Sequence, residues 1–279
     1  MSAWKVLLTD GLEENGKEIL RGMANVVDQP GISADELLTV VGEYDALIVR
    51  GRTKVTAAVF EAGRNLKVVG RAGVGVDNID LAAARAHGVT VVNSPLATTV
   101  AVAELTLSLM LSVVREIPRA DASMKSGKWL KKEFEGHELF GKTLGVMGFG
   151  RIGAAVAERA KAFGMKILAF DPLVSAEDIV KRGGEAVSKE ELFAKADMIT
   201  MHMPLTADSK NLLNAEAFGK MKDGVYIVCA ARGGVIDEDA LSDPCPRVDL
   251  RPRPPSDDEP EEPREHRNEQ PCVQEMDQP

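Results

Sequence analysis

Short apolar runs rich in β-branched residues alternate with helix-periodic stretches over the first 95 residues. Residues 6–8, 46–49, 66–69 and 89–92 read as strands. Residues 34–41 and 81–86 carry apolar positions at helical spacing. Such alternation predicts a parallel sheet covered by helices on both faces. Residues 100–124 are rich in Ala, Leu, Val and Met and predict helix, with Pro118 expected to kink or interrupt it. A second α/β unit begins at Thr143, with strands expected at 144–147, 166–170, 198–201 and 225–228 and a helix at 152–163. Ser188 and Glu191 have capping-box spacing ahead of another helix.

The pattern stops after Leu241. The last 38 residues hold nine of the chain's 14 prolines and none of its 25 glycines. A segment so polar and Pro-rich buries too little apolar surface to offset its ordering entropy, which predicts disorder over 242–279. It carries eleven acids against five arginines, so −6 of the net charge of −9 resides there. The remainder, near −3, shows no basic stripe, and a nucleic-acid partner is not expected. The longest apolar stretch, 100–114, is too short to span a bilayer and is interrupted by Glu104, so no membrane association is expected. Cys229, Cys245 and Cys272 have neither metal-ligand nor disulfide-framework spacing, so no metal is expected. With no secretory signal at the N-terminus, the cysteine usage predicts a cytoplasmic location.

Candidate chemistry begins at Gly148-Phe149-Gly150-Arg151-Ile152-Gly153. A bare GxGxxG is weak evidence. Here a strand runs into it, a helix runs out of it, and a second strand ends at Asp171, 23 residues beyond the first glycine. Gly148 permits the tight turn, Gly150 lets backbone approach a pyrophosphate, and Gly153 lets helix and strand pack closely. Asp171 is suited to accept from the adenosine ribose hydroxyls and to repel a 2′-phosphate, which predicts NAD rather than NADP. A glycine-rich turn without a ligand is the competing reading.

Three further motifs accompany this fingerprint: Arg71-Ala72-Gly73-Val74-Gly75-Val76-Asp77-Asn78-Ile79-Asp80, His202-Met203-Pro204-Leu205-Thr206, and Ala231-Arg232-Gly233-Gly234-Val235-Ile236-Asp237-Glu238. In that order they resemble the D-isomer-specific 2-hydroxyacid dehydrogenases over roughly residues 4–241, and within that family the branch acting on 3-phospho-D-glycerate. The resemblance implies an α/β fold: a flavodoxin-like substrate domain over 1–95 and an incomplete Rossmann-type NAD-binding domain over 96–241. Residues 242–279 then form a tail foreign to the family. It implies NAD-dependent oxidation of 3-phospho-D-glycerate to 3-phosphohydroxypyruvate, the entry to serine biosynthesis. It also implies a homodimer formed through the 100–120 helical region. Two alternatives remain open: a glycerate or glyoxylate reductase, and a non-catalytic NAD-binding module acting through partners.

Carried over residue by residue, Arg232 corresponds to the catalytic arginine. Its planar fork suits a substrate carboxylate and polarises the adjoining carbonyl. Gly73, Val74 and Gly75 fall in the loop whose amides hold that carboxylate, with Val74 also near the cofactor. His202, Met203 and Pro204 border the nicotinamide half, Ala230 and Ala231 match backbone positions against the cofactor, and Arg151 and Ile152 bind the cofactor at the fingerprint helix. Cys229 stands where many members have asparagine. Arg50 and Arg52 resemble the segment facing a substrate phosphate, with a solvated cationic loop as the competing reading.

In the family a histidine paired with a glutamate moves the proton. This chain offers no convincing equivalent. Glu262-Pro263 lacks a preceding apolar strand, and His266 lies in the polar tail. The expectation is therefore a truncated family chain, impaired in turnover and marginal in stability, through a reading-frame shift or a wrong gene boundary near codon 241, with a natural fused tail as the competing account.

Overall fold

The computed structural model describes residues 4–242, so the expectations for the tail, Cys245, Cys272, Glu262 and His266 lie outside the described residues. Two five-stranded parallel sheets follow each other along the chain. The first contains β1 (Trp4–Leu8), β2 (Ala24–Asp28), β3 (Ala46–Val49), β4 (Val68–Arg71) and β5 (Thr90–Asn93). Its helices are α1 (Glu14–Arg21), α2 (Ala34–Val40), α3 (Ala57–Ala62) and α4 (Leu81–Ala86). The strand order β2-β1-β3-β4-β5 is the flavodoxin-like one, with a topological switch between β1 and β3.

Two helices link the sheets, α5 (Thr99–Val114) and α6 (Ile117–Lys125). The second sheet then contains β6 (Thr143–Met147), β7 (Lys166–Phe170), β8 (Glu185–Ala186), β9 (Met198–Met201) and β10 (Tyr226–Cys229). Its helices are α7 (Arg151–Ala162), α8 (Ala176–Lys181), α9 (Lys189–Lys195), α10 (Ala215–Gly219) and α11 (Glu238–Ser242). The order β10-β9-β6-β7-β8 corresponds to the first five strands of the Rossmann order, switching between β6 and β9. Among the described residues β10 is a terminal strand.

Strands buried on both faces explain the continuous apolar runs. Leu7, Leu37, Leu47 and Phe60 pack on one side of the first sheet, Val6, Leu8 and Ala46 on the other. Around the second sheet, Leu144, Val146 and Phe149 pack with α7, while Met147, Ile199 and Met201 pack with Leu192 and Phe218. Each such Val, Leu, Ile, Phe or Met side chain contributes about 1.5–3 kcal/mol through its removal from water. α5 joins the second core through Ala103, Leu107, Met110 and Val114, which meet Val156, Ala157 and Ala160 of α7.

Pro118 does not kink a continuous helix. The break precedes it, where Glu116 adopts a left-handed φ of 52°, and Pro118 occupies the first turn of α6. A residue without an N–H costs nothing there, because first-turn donors have no intrahelical partner. The capping box also lies elsewhere. At Ser33 the hydroxyl accepts from Glu36 N while the Glu36 carboxylate takes the Ser33 N–H. Ser188 caps Glu191 N, but the Glu191 carboxylate pairs with Lys195.

Candidate functional site

Both switch points place loops side by side at the C-terminal ends of parallel strands, where α/β ligands bind. In the second sheet the chain leaves β6 through Gly148, whose φ of 90° is reached readily only by glycine. A Cβ there would lie 2.8 Å from the His202 carbonyl group, so the loops after β6 and β9 touch through this glycine. A Cβ on Gly153 would overlap the Gly148 carbonyl oxygen, which is backbone and cannot yield. Gly150, the N-cap of the twelve-residue α7, has open space where its Cβ would be. These glycines therefore leave a backbone surface at the positive end of a helix, which fits a dinucleotide pyrophosphate. Arg151 and Ile152 open that helix.

Asp171 directly follows β7, faces this loop and already holds three backbone donors. Its Oδ2 accepts from Phe149 N (2.7 Å), and its Oδ1 from Leu173 N (2.8 Å) and Val174 N (3.1 Å). A carboxylate has about four acceptor positions, so one strong ribose hydroxyl bond fits without rearrangement, and the expected pair requires one backbone bond to yield. Arg182, which the sequence did not flag, donates from Nη1 to Phe149 O at 2.9 Å and braces the loop from α8.

His202, Met203 and Pro204 follow β9 as expected. His202 is largely buried, its Nε2 lies 3.0 Å from Thr200 Oγ1, and its Nδ1 has no partner. Burial lowers its pKa to about 4, so the ring is neutral near pH 7. Ala230, Ala231 and Arg232 follow β10 and line a cleft of about 500 Å³ with Cys229, Gly233 and Leu241. The Cys229 side chain is exposed.

In the first sheet, the loop after β4 is held by two of its carbonyls and by the Ala72 N–H. Asn93 Nδ2 donates to Val74 O (2.6 Å), Ser94 N to Gly73 O (2.9 Å), and Ala72 N donates to Val49 O (2.8 Å). The N–H groups of Val74 and Gly75 form no hydrogen bond within the described residues, leaving an amide pair of the kind that binds anions. Two arginines meet this loop. A Cβ on Gly75 would overlap Arg232 Nη2, and a Cβ on Gly73 would overlap Arg71 Nη1. Arg71 Nε is buried without a partner. Sequence reading passed over Arg71 because it stood at a strand end beside the louder glycines.

Arg50 and Arg52 are not equivalent. Arg52 donates from Nη2 to Thr9 O (3.0 Å) and from Nη1 to Ile32 O (3.2 Å), and lies 3.5 Å from an Asp10 oxygen. Its fork is committed to bracing the switch point. The exposed Arg50 follows β3 directly, and Val49 pairs with Arg71 across the sheet. Their loop is fixed by Asp10, which accepts from Arg50 N (2.7 Å), Arg52 N (3.1 Å), Thr53 N (3.0 Å) and Thr53 Oγ1. Burial alone would raise the Asp10 carboxyl, but these donors and Arg52 hold it below its usual value.

Two parallel sheets of these orders, a fingerprint loop fitted for a dinucleotide and an arginine-flanked amide loop together define a class. The chain belongs to the D-isomer-specific 2-hydroxyacid dehydrogenase family, whose NAD-binding domain matches residues 107–245. It is 48% identical over 237 residues to a D-3-phosphoglycerate dehydrogenase of Synechocystis, covering 85% of this chain and 43% of that protein. It is 47% identical over 242 residues to a hydroxypyruvate reductase of Thermotoga maritima, covering 86% of this chain and 78% of that protein. The chain thus spans less than half the length of the Synechocystis relative. Among solved structures, D-lactate dehydrogenase of Aquifex aeolicus, complexed with NAD and lactic acid, superposes with a TM-score of 0.74 at 32% identity, covering 85% of this chain and 72% of that one.

Proposed function

We propose that the chain holds NAD against the loops after β6, β7 and β9, and a 2-hydroxy or 2-keto acid against the amide loop at 72–76. The proposed reaction is oxidation of 3-phospho-D-glycerate to 3-phosphohydroxypyruvate. In this reading residues 1–95 serve the substrate, residues 96–241 serve the cofactor, and bound NAD supplies the hydride acceptor. One observation carries the assignment: Arg232 lies against Gly75, Arg71 against Gly73, and Arg50 follows the strand paired with β4. Two cations at one amide loop, with a third following the neighbouring strand, suit a ligand bearing both a carboxylate and a phosphate. Arg232 takes the carboxylate and polarises the reacting carbonyl, Val74 and Gly75 N–H groups share that carboxylate, and Arg50 with Arg71 receives the phosphate.

Proton transfer is the weak step. Among the described residues His87 stacks on Phe60 and His137 lies against Tyr226. His202 is buried with its Nε2 on Thr200. None is hydrogen-bonded to Arg232 among the described residues, so the reading includes slow turnover. The commitment of Arg52 to backbone carbonyls favours a second reading, an unphosphorylated acid, and the Thermotoga relative named hydroxypyruvate reductase is in keeping with it.

Calorimetry with NAD present separates the two. 3-Phosphoglycerate should bind about tenfold more tightly than D-glycerate, and Arg50→Ala should remove most of that preference. Equal binding of the two acids would overturn the phosphate assignment and leave the unphosphorylated reading.

A homodimer through α5 and α6 belongs to the same proposal. Leu105, Leu109 and Val113 recur one turn apart on the exposed side of α5, and Ile117 continues them. A helix apolar on both sides calls for a partner beyond its own core.

A further inference from the structure

We propose that Asp77 is a resident counter-ion that stands in for the ligand's carboxylate at Arg232 and is displaced by it. The inference rests on the reading of Arg232 as the carboxylate-binding group. Arg232 donates from Nη2 (3.0 Å) and Nε (3.3 Å) to the same Asp77 oxygen, while its Nη1 turns back to Ala231 O (3.0 Å). The Nε–Nη2 edge is one of the two that a guanidinium offers to a carboxylate, and here Nη1 is already turned to Ala231 O. That oxygen also lies over the amide loop: a Cβ on Gly75 would come within 2.6 Å of it and would overlap Arg232 Nη2. Asp77 Oδ1 therefore occupies the junction of the guanidinium and the amide loop where a substrate carboxylate would sit.

The pair is built to open. It joins residues 155 positions apart through one carboxylate oxygen, and the side chains are 39% and 62% exposed. An ion pair so exposed contributes little net stability. Asp77 nevertheless stays ionised. Burial would raise its carboxyl, but the Arg232 hydrogen bond and the charges of Arg232 and Arg71 hold it below its usual value. It is thus a standing competitor rather than a fixed orienting group, for which a bidentate, buried pairing is expected.

Competition and orientation predict opposite signs. As a competitor, Asp77 weakens binding, so Asp77→Asn and Asp77→Ala should tighten the dicarboxylate probe oxalate about two- to fivefold, in proportion to the modest strength of an exposed pair. Both variants should also speed phenylglyoxal labelling of Arg232, read by peptide mass, because the guanidinium loses its shield. Arg232→Gln should bind no oxalate. Weaker or unchanged oxalate binding in both Asp77 variants overturns the proposal and makes Asp77 an orienting or indifferent group. The labelling isolates the parent reading. If oxalate fails to protect Arg232 in the unsubstituted protein, the carboxylate assignment itself falls, and the stand-in role falls with it.

Discussion

Replacing Asp10 by alanine tests whether the first switch point is fastened as described. Its side chain is only 4% exposed, and it receives three backbone N–H groups and one hydroxyl from residues 50–53. Hydrogen bonds to a charged acceptor contribute about 1.5–3 kcal/mol each, and neighbouring bonds are not additive. The freed loop can turn outward and recover water, since Arg50 and Arg52 are exposed. A net loss of about 3 kcal/mol follows, equivalent to a fall in Tm of roughly 6–12 °C at this chain length. Circular dichroism melts at pH 7 measure it. The pH dependence has a definite sign. The folded carboxyl lies below its usual value, so the stabilisation is full above about pH 4–5. It is lost as pH falls through the folded value. The difference in Tm between Asp10→Asn and the unsubstituted chain should hold from pH 5 to 8 and shrink below pH 4. A Tm change under 2 °C for Asp10→Ala, or a difference that grows on acidification, would refute the reasoning.

Other perturbations have equally definite outcomes. Gly153→Val drives a Cβ into the Gly148 carbonyl oxygen, so NAD-induced fluorescence quenching should be lost, and retained affinity within threefold would contradict the packing described. Asp171→Ser removes the charge that repels a 2′-phosphate, so the preference for NAD over NADP should drop by about tenfold or more in titrations of each; an unchanged ratio would place selectivity elsewhere. His202 is buried neutral with a pKa near 4, so folding stability should decline between about pH 6.5 and 4, by about 3 kcal/mol in all. Urea titrations should show that slope flattened in His202→Gln, and an identical slope would mean that other groups cause it. Arg182→Ala should loosen the fingerprint loop and weaken NAD severalfold while leaving oxalate binding intact.

Much of the fold was legible because buried parallel strands cannot disguise their apolar runs. The stretches 46–49, 166–170 and 198–201 coincide with β3, β7 and β9. β2 and β8 escaped notice for a physical reason. Each lies toward a sheet edge, and β8 has two residues, so neither needs a continuous apolar run. In the site, the glycines were readable because a missing side chain is a geometric requirement written into the sequence. The partners of Arg52 were not, since Thr9 and Ile32 offer only carbonyl oxygens and any residue could do so. Asp10, Arg71 and Arg182 were likewise silent: their roles depend on loops brought together by strand order, which no local pattern records.

The Arg232–Asp77 contact also sets an order of assembly. Its members are separated by 155 positions, whereas the fingerprint glycines and Asp171 span little more than twenty. During refolding the cofactor surface can therefore mature as soon as the second sheet closes, from pairings that are all closer in sequence than Asp77 and Arg232. The anion-binding junction is complete only when residues from both sheets have met. Recovery of carboxylate binding thus becomes a timer for the meeting of the two sheets, a step that maturation of the fingerprint loop alone does not report.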